Sequence, residues 1–296
     1  MTIDVVTVSY NRRELLLASC ASVVDTDTAT RLIVVDNASN DGSAAAVRKA
    51  YPSATVLETD TNLGFAAAVN LGIRAGRSPY VLLLNSDATI QANSLSKLIE
   101  ALNADPDAAA AGPRIVAPSG SLELSLNRTM SFSNELGFKI LEILYADGRG
   151  PATSWVARQY GRDTNVRSLT AACLLLRREA VEEVGGLDER FFLYAEDVDL
   201  CLRLRSAGWR LLFVPKSEAQ HVRGASGSAN PTQTTLAYRQ SQLAFYRKHY
   251  GQGAMILLHG FLLVRYLLLS PLPGWRGRRA RALLTWCVRD PKPGAP

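Results

Sequence analysis

The chain has 296 residues, enough to bury a full α/β core and one appended module. Its 47% hydrophobic and 20% charged residues are typical of a folded protein and exclude an intrinsically disordered one. The net charge of +6 is unevenly distributed. Up to Gln220 there are 22 Lys and Arg against 26 Asp and Glu, a net charge of −4, whereas from His221 onward there are 11 against 1, a net charge of +10.

A slightly acidic body with a basic, apolar tail favours binding of the tail to an anionic surface. Nucleic acid is a poor alternative partner, because no helix-turn-helix, zinc-finger or RNA-binding motif accompanies the positive charge. The strand-like run at residues 3–8 follows Met1 without a signal-peptide pattern, and the four cysteines lie far apart without metal-ligand or redox spacing (Cys20, Cys173, Cys201 and Cys287). Both features predict a cytoplasmic protein with reduced thiols.

Short apolar runs and helix-compatible stretches alternate over the first hundred residues. The strand-like runs are residues 3–8, 32–35, 54–58 and 80–84, and the helix-like stretches are residues 12–24, 43–50, 64–75 and 92–104. Apolar strands without polar alternation indicate a mostly parallel sheet covered by helices on both faces. This pattern predicts a Rossmann-like, doubly wound α/β fold, in which ligands bind at the carboxyl ends of the strands.

Polar residues follow three of these runs: Ser9, Tyr10 and Asn11, then Asp36 and Asn37, then Asn85, Ser86 and Asp87. Asp36 precedes a turn and lies too early to cap the helix at residues 43–50, so its carboxylate can accept hydrogen bonds from a base or from ribose hydroxyls. Asp87 could hold Mg²⁺ or Mn²⁺, since these cations prefer oxygen ligands and bridge to phosphates. The structural alternative for Asp87 is a turn that caps a helix.

Small residues dominate the segment from Asn62 to Asn70, which contains Gly64 and three alanines. They would let a helix N-terminus approach a bulky ligand such as a diphosphate, although close helix packing also explains them.

Beyond residue 119 the pattern weakens. Residues 131–146 predict one amphipathic helix, and residues 147–166 predict a polar loop of the kind that often forms a lid. Regular structure returns with a strand at 171–176, helices at 178–184 and 197–206, and a strand at 209–214. His221 follows that strand by a short loop and precedes a Gly/Ser-rich stretch at 224–228, which could order over a bound ligand.

Three carboxylates within four residues, Glu196, Asp197 and Asp199, form the densest chemical cluster. The apolar and aromatic segment at residues 191–194 comes directly before them and predicts partial burial, which tunes the pKa of a catalytic base. Arg203 or Arg205 could balance this negative charge or contact a phosphate.

Taken together, these segments resemble the family 2 glycosyltransferases of GT-A fold, and in particular the rhamnosyltransferase-like members that build bacterial cell-wall or surface polysaccharides. The matching pieces are Val8-Ser9-Tyr10-Asn11, Val35-Asp36-Asn37-Ala38-Ser39, Asn62-Leu63-Gly64-Phe65, Leu84-Asn85-Ser86-Asp87, residues 185–192 and residues 196–200. They span roughly residues 3 to 225, and their joint occurrence is highly specific.

The resemblance implies a role for each candidate residue. Asp197, with Glu196 beside it, is the general base; Asp87 binds a divalent metal with His221 nearby. Asp36 reads the base of the donor, and the other nucleotide contacts are Ser9, Tyr10, Asn11, Asn62, Gly64, Asn70, Asn85 and Ser86. Arg203 and Trp209 contact acceptor or phosphate. The family's metal motif is often Asp-x-Asp, whereas Asn85 occupies its first position here, which weakens the expected metal affinity.

The expected activity is inverting transfer of a sugar from a nucleotide-diphosphate donor to a saccharide acceptor, and the family resemblance favours an acceptor linked to a polyprenyl diphosphate. The favoured donor is dTDP-rhamnose, and a UDP-sugar is the alternative. A sugar-phosphate nucleotidyltransferase would carry a Gly-rich loop with Arg or Lys after the first strand, which Ser9-Tyr10-Asn11 is not. A non-catalytic sugar-nucleotide-binding protein would not need the Glu196-Asp197 pair.

The predicted organisation is a catalytic domain at 1–225 and a helical, basic extension at 226–296. The catalytic domain has a nucleotide-binding half at 1–115 and an acceptor half at 116–225. Residues 254–270 are strongly apolar but include Arg265, and at 17 residues they fall short of the roughly 20 that span a bilayer. With the arginines that follow, they predict a helix lying in the inner face of the cell membrane. The alternative is packing on the catalytic domain or on a second subunit of a homodimer.

Overall fold

A computed structural model describes residues 2–146, 150–222 and 231–289, and one nine-stranded sheet forms its centre. The strands are β1 (Ile3–Ser9), β2 (Thr30–Asp36), β3 (Thr55–Glu58), β4 (Tyr80–Leu84), β5 (Ala88–Ile90), β6 (Ala108–Val116), β7 (Thr164–Asn165), β8 (Cys173–Arg177) and β9 (Arg210–His221). The helices are α1 (Arg13–Val24), α2 (Ser43–Ala50), α3 (Phe65–Ala75), α4 (Ser94–Ala104), α5 (Phe132–Ala146), α6 (Pro151–Gln159), α7 (Arg178–Glu183), α8 (Glu196–Ser206), α9 (Pro231–His249), α10 (Gly251–Leu269) and α11 (Gly274–Arg289).

The sheet has the order β3-β2-β1-β4-β8-β6-β9-β5, with β7 paired to β9. Strands β3, β2, β1 and β4 are parallel, so their carboxyl ends meet at one edge; Ser9, for example, is the register partner of Asp36. The expected α/β architecture is confirmed for this half. The complete sheet is mixed, however, because β8 runs antiparallel to both β4 and β6, and β5 and β7 run antiparallel to β9.

Hydrophobic cores lie on both faces of the sheet, as continuous apolar strands require. On one face α3 and α8 pack against β1, β4 and β8, with Val69 and Leu204 fully covered. On the other face α1 and α4 pack against the alternate residues of the same strands, with Leu16 and Leu98 fully covered. The four cysteines are buried and unpaired.

Two segments differ from the sequence-based expectation. Residues 147–166 were expected to form a polar loop, but α6 and β7 lie within them. Helix α6 begins at Pro151, a residue suited to the first helical turn, and buries Val156 in the core. The last strand was expected to end at residue 214, but β9 continues to His221 because it pairs with β5 and with the second half of β6.

Helices α9, α10 and α11 pack on one another, and their core includes residues of the segment that leads into α8. Phe245 of α9 lies 6.4 Å from the Phe191 ring, and Ser241 donates a hydrogen bond to the Leu193 carbonyl at 2.8 Å. Asp199 of α8 accepts from Lys248 and His249 at 2.6 and 2.7 Å. Helix α9 therefore packs against the predicted acceptor half. The predicted domain boundary at 225/226 and the Gly/Ser-rich stretch at 224–228 lie outside the described residues.

Helix α10 has 19 residues, two more than the apolar stretch identified in the sequence. By length and composition it is the one helix among the described residues that could cross a membrane, and 17% of its apolar window is buried within the protein.

Candidate active site

A cavity of about 560 Å³ opens where the ends of β4 and β9 meet the start of α8. It brings together five of the residues singled out in the sequence: Asn85, Asp87, Glu196, Asp197 and His221. Helix α5 and the loop before it form another wall, and α9 contributes Tyr238.

The turn after β4 holds Asn85 and Asp87 in place through its backbone. Asn85 N–H donates to the Ala172 carbonyl at 3.0 Å, and Val222 N–H donates to the Asp87 carbonyl at 2.9 Å. The amide oxygen Oδ1 of Asn85 is buried and has no hydrogen-bond partner among the described residues. Since buried polar atoms are almost always satisfied, this oxygen indicates a missing ligand or water.

His221 connects Asp87 with a carboxylate that the sequence did not reveal. Its Nε2 lies 3.3 Å from Asp87 Oδ1, and its Nδ1 lies 3.2 Å from Glu123 Oε2. Burial lowers the pKa of His221, but hydrogen bonds to the two carboxylates and their negative charge outweigh this effect and raise the pKa to about 9. The three side chains form an acidic cluster that can attract a cation.

Glu196 and Asp197 are the first two residues of α8 and face the same cavity. Burial, reinforced by repulsion from Asp197, raises the pKa of Glu196 well above its usual value, and Glu196 Oε2 has no partner among the described residues. Burial also raises the pKa of Asp197, although the backbone N–H groups of Val198 and Ala171 donate to it at 2.8 and 3.4 Å and partly offset this effect. Paired carboxylates with raised pKa values are typical of acid–base sites.

The chain enters α8 in a strained conformation. Tyr194 and Ala195 have φ values of 69° and 74°, in the left-handed region that non-glycine residues seldom adopt. Gly64 supports this turn: a Cβ atom there would lie 2.5 Å from the Phe192 carbonyl oxygen, which itself accepts a hydrogen bond from Phe65 N–H at 2.7 Å. The small residue predicted to approach a ligand thus approaches the acceptor-half backbone.

The remaining nucleotide candidates lie at the neighbouring strand ends, outside the cavity lining. Ser9 is fully buried and Tyr10 is exposed, whereas Asn11 has a φ of 53° and accepts from Asn40 N–H. Asp36 does reach α2, contrary to expectation: its carboxylate accepts from Ala44 N–H at 3.0 Å and from Ser39 N–H at 2.9 Å. A left-handed Gly42 turns the chain back towards β2, which brings the helix N-terminus to the carboxylate.

Asn62 and Ser86 complete this set. Asn62 accepts from Asn37 and from Gly64 N–H, so it orders the loop before α3. Ser86 is buried in the turn between Asn85 and Asp87.

Three predicted contacts have structural roles instead. Asn70 exchanges two hydrogen bonds with the Leu187 backbone across 117 residues, so its amide holds the loop before α8. Arg203 pairs with Asp199 at 2.7 Å and donates to the carbonyls of residues 184 and 186, which uses all of its guanidinium edges. Trp209 donates to Glu183 and packs beside the core, away from the cavity.

The cavity residues that the sequence did not indicate include Glu123, Arg128, Glu135 and Tyr238. The first three lie between 119 and 146, where the sequence shows no regular strand pattern and no dense chemical motif. Tyr238 belongs to α9, which sequence reasoning had assigned to a separate extension.

The described residues contain no group of three or more His, Cys, Asp or Glu side chains arranged to hold a metal ion. Asp87 nevertheless offers an oxygen donor at the cavity, and His221 offers a nitrogen donor once it loses its proton, with the unpaired Asn85 oxygen nearby. Hard divalent cations often take one or two protein ligands and complete their coordination with phosphate oxygens and water. These residues fit a cation that binds together with a diphosphate.

Comparison with known proteins defines the class. The model of glycosyl transferase family 2 matches residues 4–185, more than half of the chain, so the chain belongs to this family. It is 33% identical over 262 residues to N-acetylglucosaminyl-diphospho-decaprenol L-rhamnosyltransferase of Mycobacterium tuberculosis, covering 82% of this chain and 83% of that enzyme. A 59-residue stretch, 20% of this chain and 22% of the other, is 44% identical to a rhamnosyltransferase of Escherichia coli. The expected family, with its rhamnosyltransferase-like relatives, is confirmed.

Solved structures confirm the GT-A fold. A mannosyltransferase from Pyrobaculum calidifontis, in complex with GDP-Man and Mn²⁺, superposes with a TM-score of 0.57 at 18% identity over 97% of this chain and 75% of that one. GalNAc-T7 with UDP, GalNAc and Mn²⁺ gives a TM-score of 0.65 at 14% identity over 100% and 59%. At these identities the likeness concerns the fold.

Proposed function

We propose that this glycosyltransferase transfers a sugar with inversion from a nucleotide-diphosphate donor, with dTDP-rhamnose favoured, to a lipid-linked saccharide. The observation that carries the proposal is one cavity lined by the buried Glu196, the half-buried Asp197 beside it, and Asp87 with His221. This arrangement offers a proton acceptor and a cation-binding group to the same reacting centre. The relative from Mycobacterium tuberculosis, an N-acetylglucosaminyl-diphospho-decaprenol L-rhamnosyltransferase, supports the substrate class.

In the proposed reaction, an acceptor hydroxyl oxygen attacks the anomeric carbon as the bond from that carbon to the diphosphate breaks. Asp197 accepts the hydroxyl proton, and the nucleoside diphosphate leaves with the electron pair of the broken bond. A single displacement inverts the anomeric configuration. General-base assistance of this kind contributes about 10²–10⁴-fold.

Asp87 and His221 would hold the divalent cation, Mg²⁺ or Mn²⁺, whose charge offsets the negative charge of the leaving diphosphate. Asn85 would contact the ribose or a water through its unpaired oxygen. At the neighbouring strand ends, Ser9 and Asp36 would position the nucleoside. The bonds that Asp36 already accepts leave lone pairs on both carboxylate oxygens for a base N–H.

A lipid-linked acceptor requires the enzyme to work at a bilayer. The basic, apolar helices α10 and α11 suit binding to the cytoplasmic face of the cell membrane, where anionic lipids attract arginine. The proposed location is therefore cytoplasmic and peripheral to the membrane. Self-association through these helices is the competing arrangement.

Replacing Asp197 with Asn tests the catalytic assignment. Transfer should fall about 10²–10⁴-fold while nucleotide-sugar binding, followed by thermal shift, stays within experimental error. Retention of most of the turnover would refute the base assignment. The same thermal-shift assay with dTDP-rhamnose and UDP-sugars, each with and without Mn²⁺, identifies the donor.

A further inference from the structure

Helix α5 of the acceptor half carries an apolar row that faces solvent. Phe132, Leu136, Ile140, Ile143 and Leu144 lie about one helical turn apart and are each 49–71% exposed. The opposite face of the helix is engaged: Phe138, Leu141 and Tyr145 pack against the main core. Such an exposed row in an otherwise well-covered domain indicates a surface that binds something apolar.

The apolar row of α5 continues onto α10. Phe132 contacts Phe261 edge to face, with ring centroids 5.6 Å apart. From Phe261 the exposed apolar face of α10 runs through Leu257, Val264 and Leu268, while Leu258, Leu262 and Tyr266 on the other side are buried. Two helices that are far apart in sequence thus form one apolar surface, which we name the α5–α10 surface.

Helices α10 and α11 carry arginines but no acidic residue of their own. Arg265 is exposed within α10, and α11 adds Arg276, Arg278, Arg279, Arg281 and Arg289; α10 and α11 contain no Asp or Glu. An exposed apolar face on helices that carry arginine and no acidic residue matches a bilayer with anionic headgroups, where the apolar side chains enter the acyl boundary and the arginines meet phosphates.

The same helix also lines the cavity. Asn134, Glu135 and Phe138 of α5 face the interior, so the helix separates the reacting centre from the α5–α10 surface by its own width. Arg128, the one Lys or Arg among the described residues that line the cavity, stacks on the Phe138 ring at 5.2 Å and lies 3.9 Å from Glu142. A cation held against α5 is suited to the diphosphate of an acceptor whose lipid remains in the bilayer.

We infer that the α5–α10 surface docks on an anionic lipid bilayer, and that α5 thereby presents the cavity to the diphosphate of a membrane-embedded acceptor near Arg128. This inference deepens the proposed function and rests on it for the acceptor. It assigns half of the membrane contact to the catalytic domain itself and not to the C-terminal helices alone.

The test uses the full chain with the double substitution Ile140→Asp and Ile143→Asp on α5. The matched control is Val24→Asp, an equally exposed apolar residue of α1 on the opposite face of the sheet. Flotation with vesicles of phosphatidylcholine and phosphatidylglycerol measures docking. Transfer is measured with a long-chain polyprenyl-diphosphate acceptor in those vesicles and with a short-chain, water-soluble analogue.

The double variant should lose vesicle binding by about 10-fold or more, because apolar burial is replaced by two charges. Transfer to the embedded acceptor should fall with it, whereas transfer to the soluble analogue and the unfolding temperature stay at wild-type levels. Val24→Asp should change none of these. Unchanged vesicle binding by the double variant would overturn the inference.

A dimer of the wild type that the double variant converts to a monomer, with vesicle binding unaltered, would assign the surface to a second copy and also overturn the inference. Wild-type protein that floats with vesicles but transfers no sugar to either acceptor would refute the proposed function while leaving the docking surface intact.

Discussion

The two sides of the cavity are held in place in different ways. On the donor side, Asn85 and Asp87 follow a buried strand directly, and the backbone pairing of β4 places them at the carboxyl edge of the sheet. On the acceptor side, Glu196 and Asp197 begin a helix whose approach is held by remote contacts, from Phe65 to Phe192 and from Ser241 to Leu193. Short-range structure positions the first pair, and tertiary packing positions the second.

This difference bears on how each side responds to change. A donor-side substitution removes a ligand and leaves the sheet intact, so its effect should be confined to binding and chemistry. An acceptor-side substitution at a packing residue should disturb the chain that enters α8 and so impair both stability and transfer.

The largest effect is expected for Asp87→Asn on the donor side. The variant keeps the backbone bond from Val222 but loses a carboxylate that would hold the cation, so transfer should fall by on the order of 10²–10³-fold. The stabilisation by donor with Mn²⁺ in a thermal-shift assay should disappear. The unfolding temperature of the free protein should fall as well, but only by the contribution of the lost pair between Asp87 and His221.

Asp107→Asn is the control for Asp87→Asn. Asp107 is exposed and precedes β6, whose amino end lies at the opposite edge of the sheet. It should leave transfer and the Mn²⁺ effect unchanged. If Asp87→Asn still transferred sugar at the wild-type rate in a metal-dependent way, other residues would have to hold the cation.

The donor side was largely predictable from sequence for a physical reason. Its strands are parallel and mostly apolar, so the residue that ends each run lies at the ligand-binding edge. The exception is Asp36: its distance from α2 in sequence suggested a free carboxylate, but left-handed Gly42 folds the helix N-terminus back onto it. A turn conformation of this kind is not encoded in residue spacing.

On the acceptor side, the sequence predicted where the acidic residues lie along the chain, but not which other residues surround them in the fold. The acidic cluster and the aromatic segment before it predicted that Glu196 and Asp197 line a site, which the cavity bears out. The residues that surround it come from α5, β9 and α9, and no local pattern links Arg128 or Tyr238 to Asp197. Asn70 was predicted to contact the nucleotide, and Arg203 to balance the acidic cluster or to contact a phosphate. Arg203 does pair with Asp199, but both side chains also bind backbone groups 17 to 117 residues away, which no local pattern indicates.

Gly64→Ala tests the backbone contact between Gly64 on the donor side and Phe192 on the acceptor side. The added methyl group would lie 2.5 Å from the Phe192 carbonyl oxygen, and the φ of +82° is unfavourable for alanine. The two effects together should lower the free energy of unfolding by about 2–4 kcal/mol, measured in urea, and transfer should fall because Phe192 leads into Glu196.

Gly42→Ala separates the two effects. Its φ is +77°, but nothing lies within 4 Å of the added Cβ, so only the conformational cost of about 1–2 kcal/mol applies. Equal destabilisation by both substitutions would show that the contact between Gly64 and Phe192 contributes nothing.

The smallest effect concerns Glu196, whose buried carboxyl group has a raised pKa. Ionising such a group opposes folding: the penalty is absent below the ordinary pKa of 4.5 and is complete once the pH exceeds the raised value. Glu196→Gln removes this titration. Its unfolding temperature in EDTA should therefore exceed that of the wild type at pH 8, by roughly 2–4 °C for each kcal/mol of penalty removed, and the two should converge near pH 4.

Glu189→Gln, an exposed carboxylate of the same motif, should follow the wild-type curve at every pH. A stabilisation of Glu196→Gln that is equal at pH 4 and pH 8 would instead reflect better packing of the amide, since packing does not titrate. The pH-dependent result would mean that ionisation of Glu196 on the acceptor side destabilises the folded protein. On the donor side, the negative charge of Asp87 is instead balanced by His221 beside it.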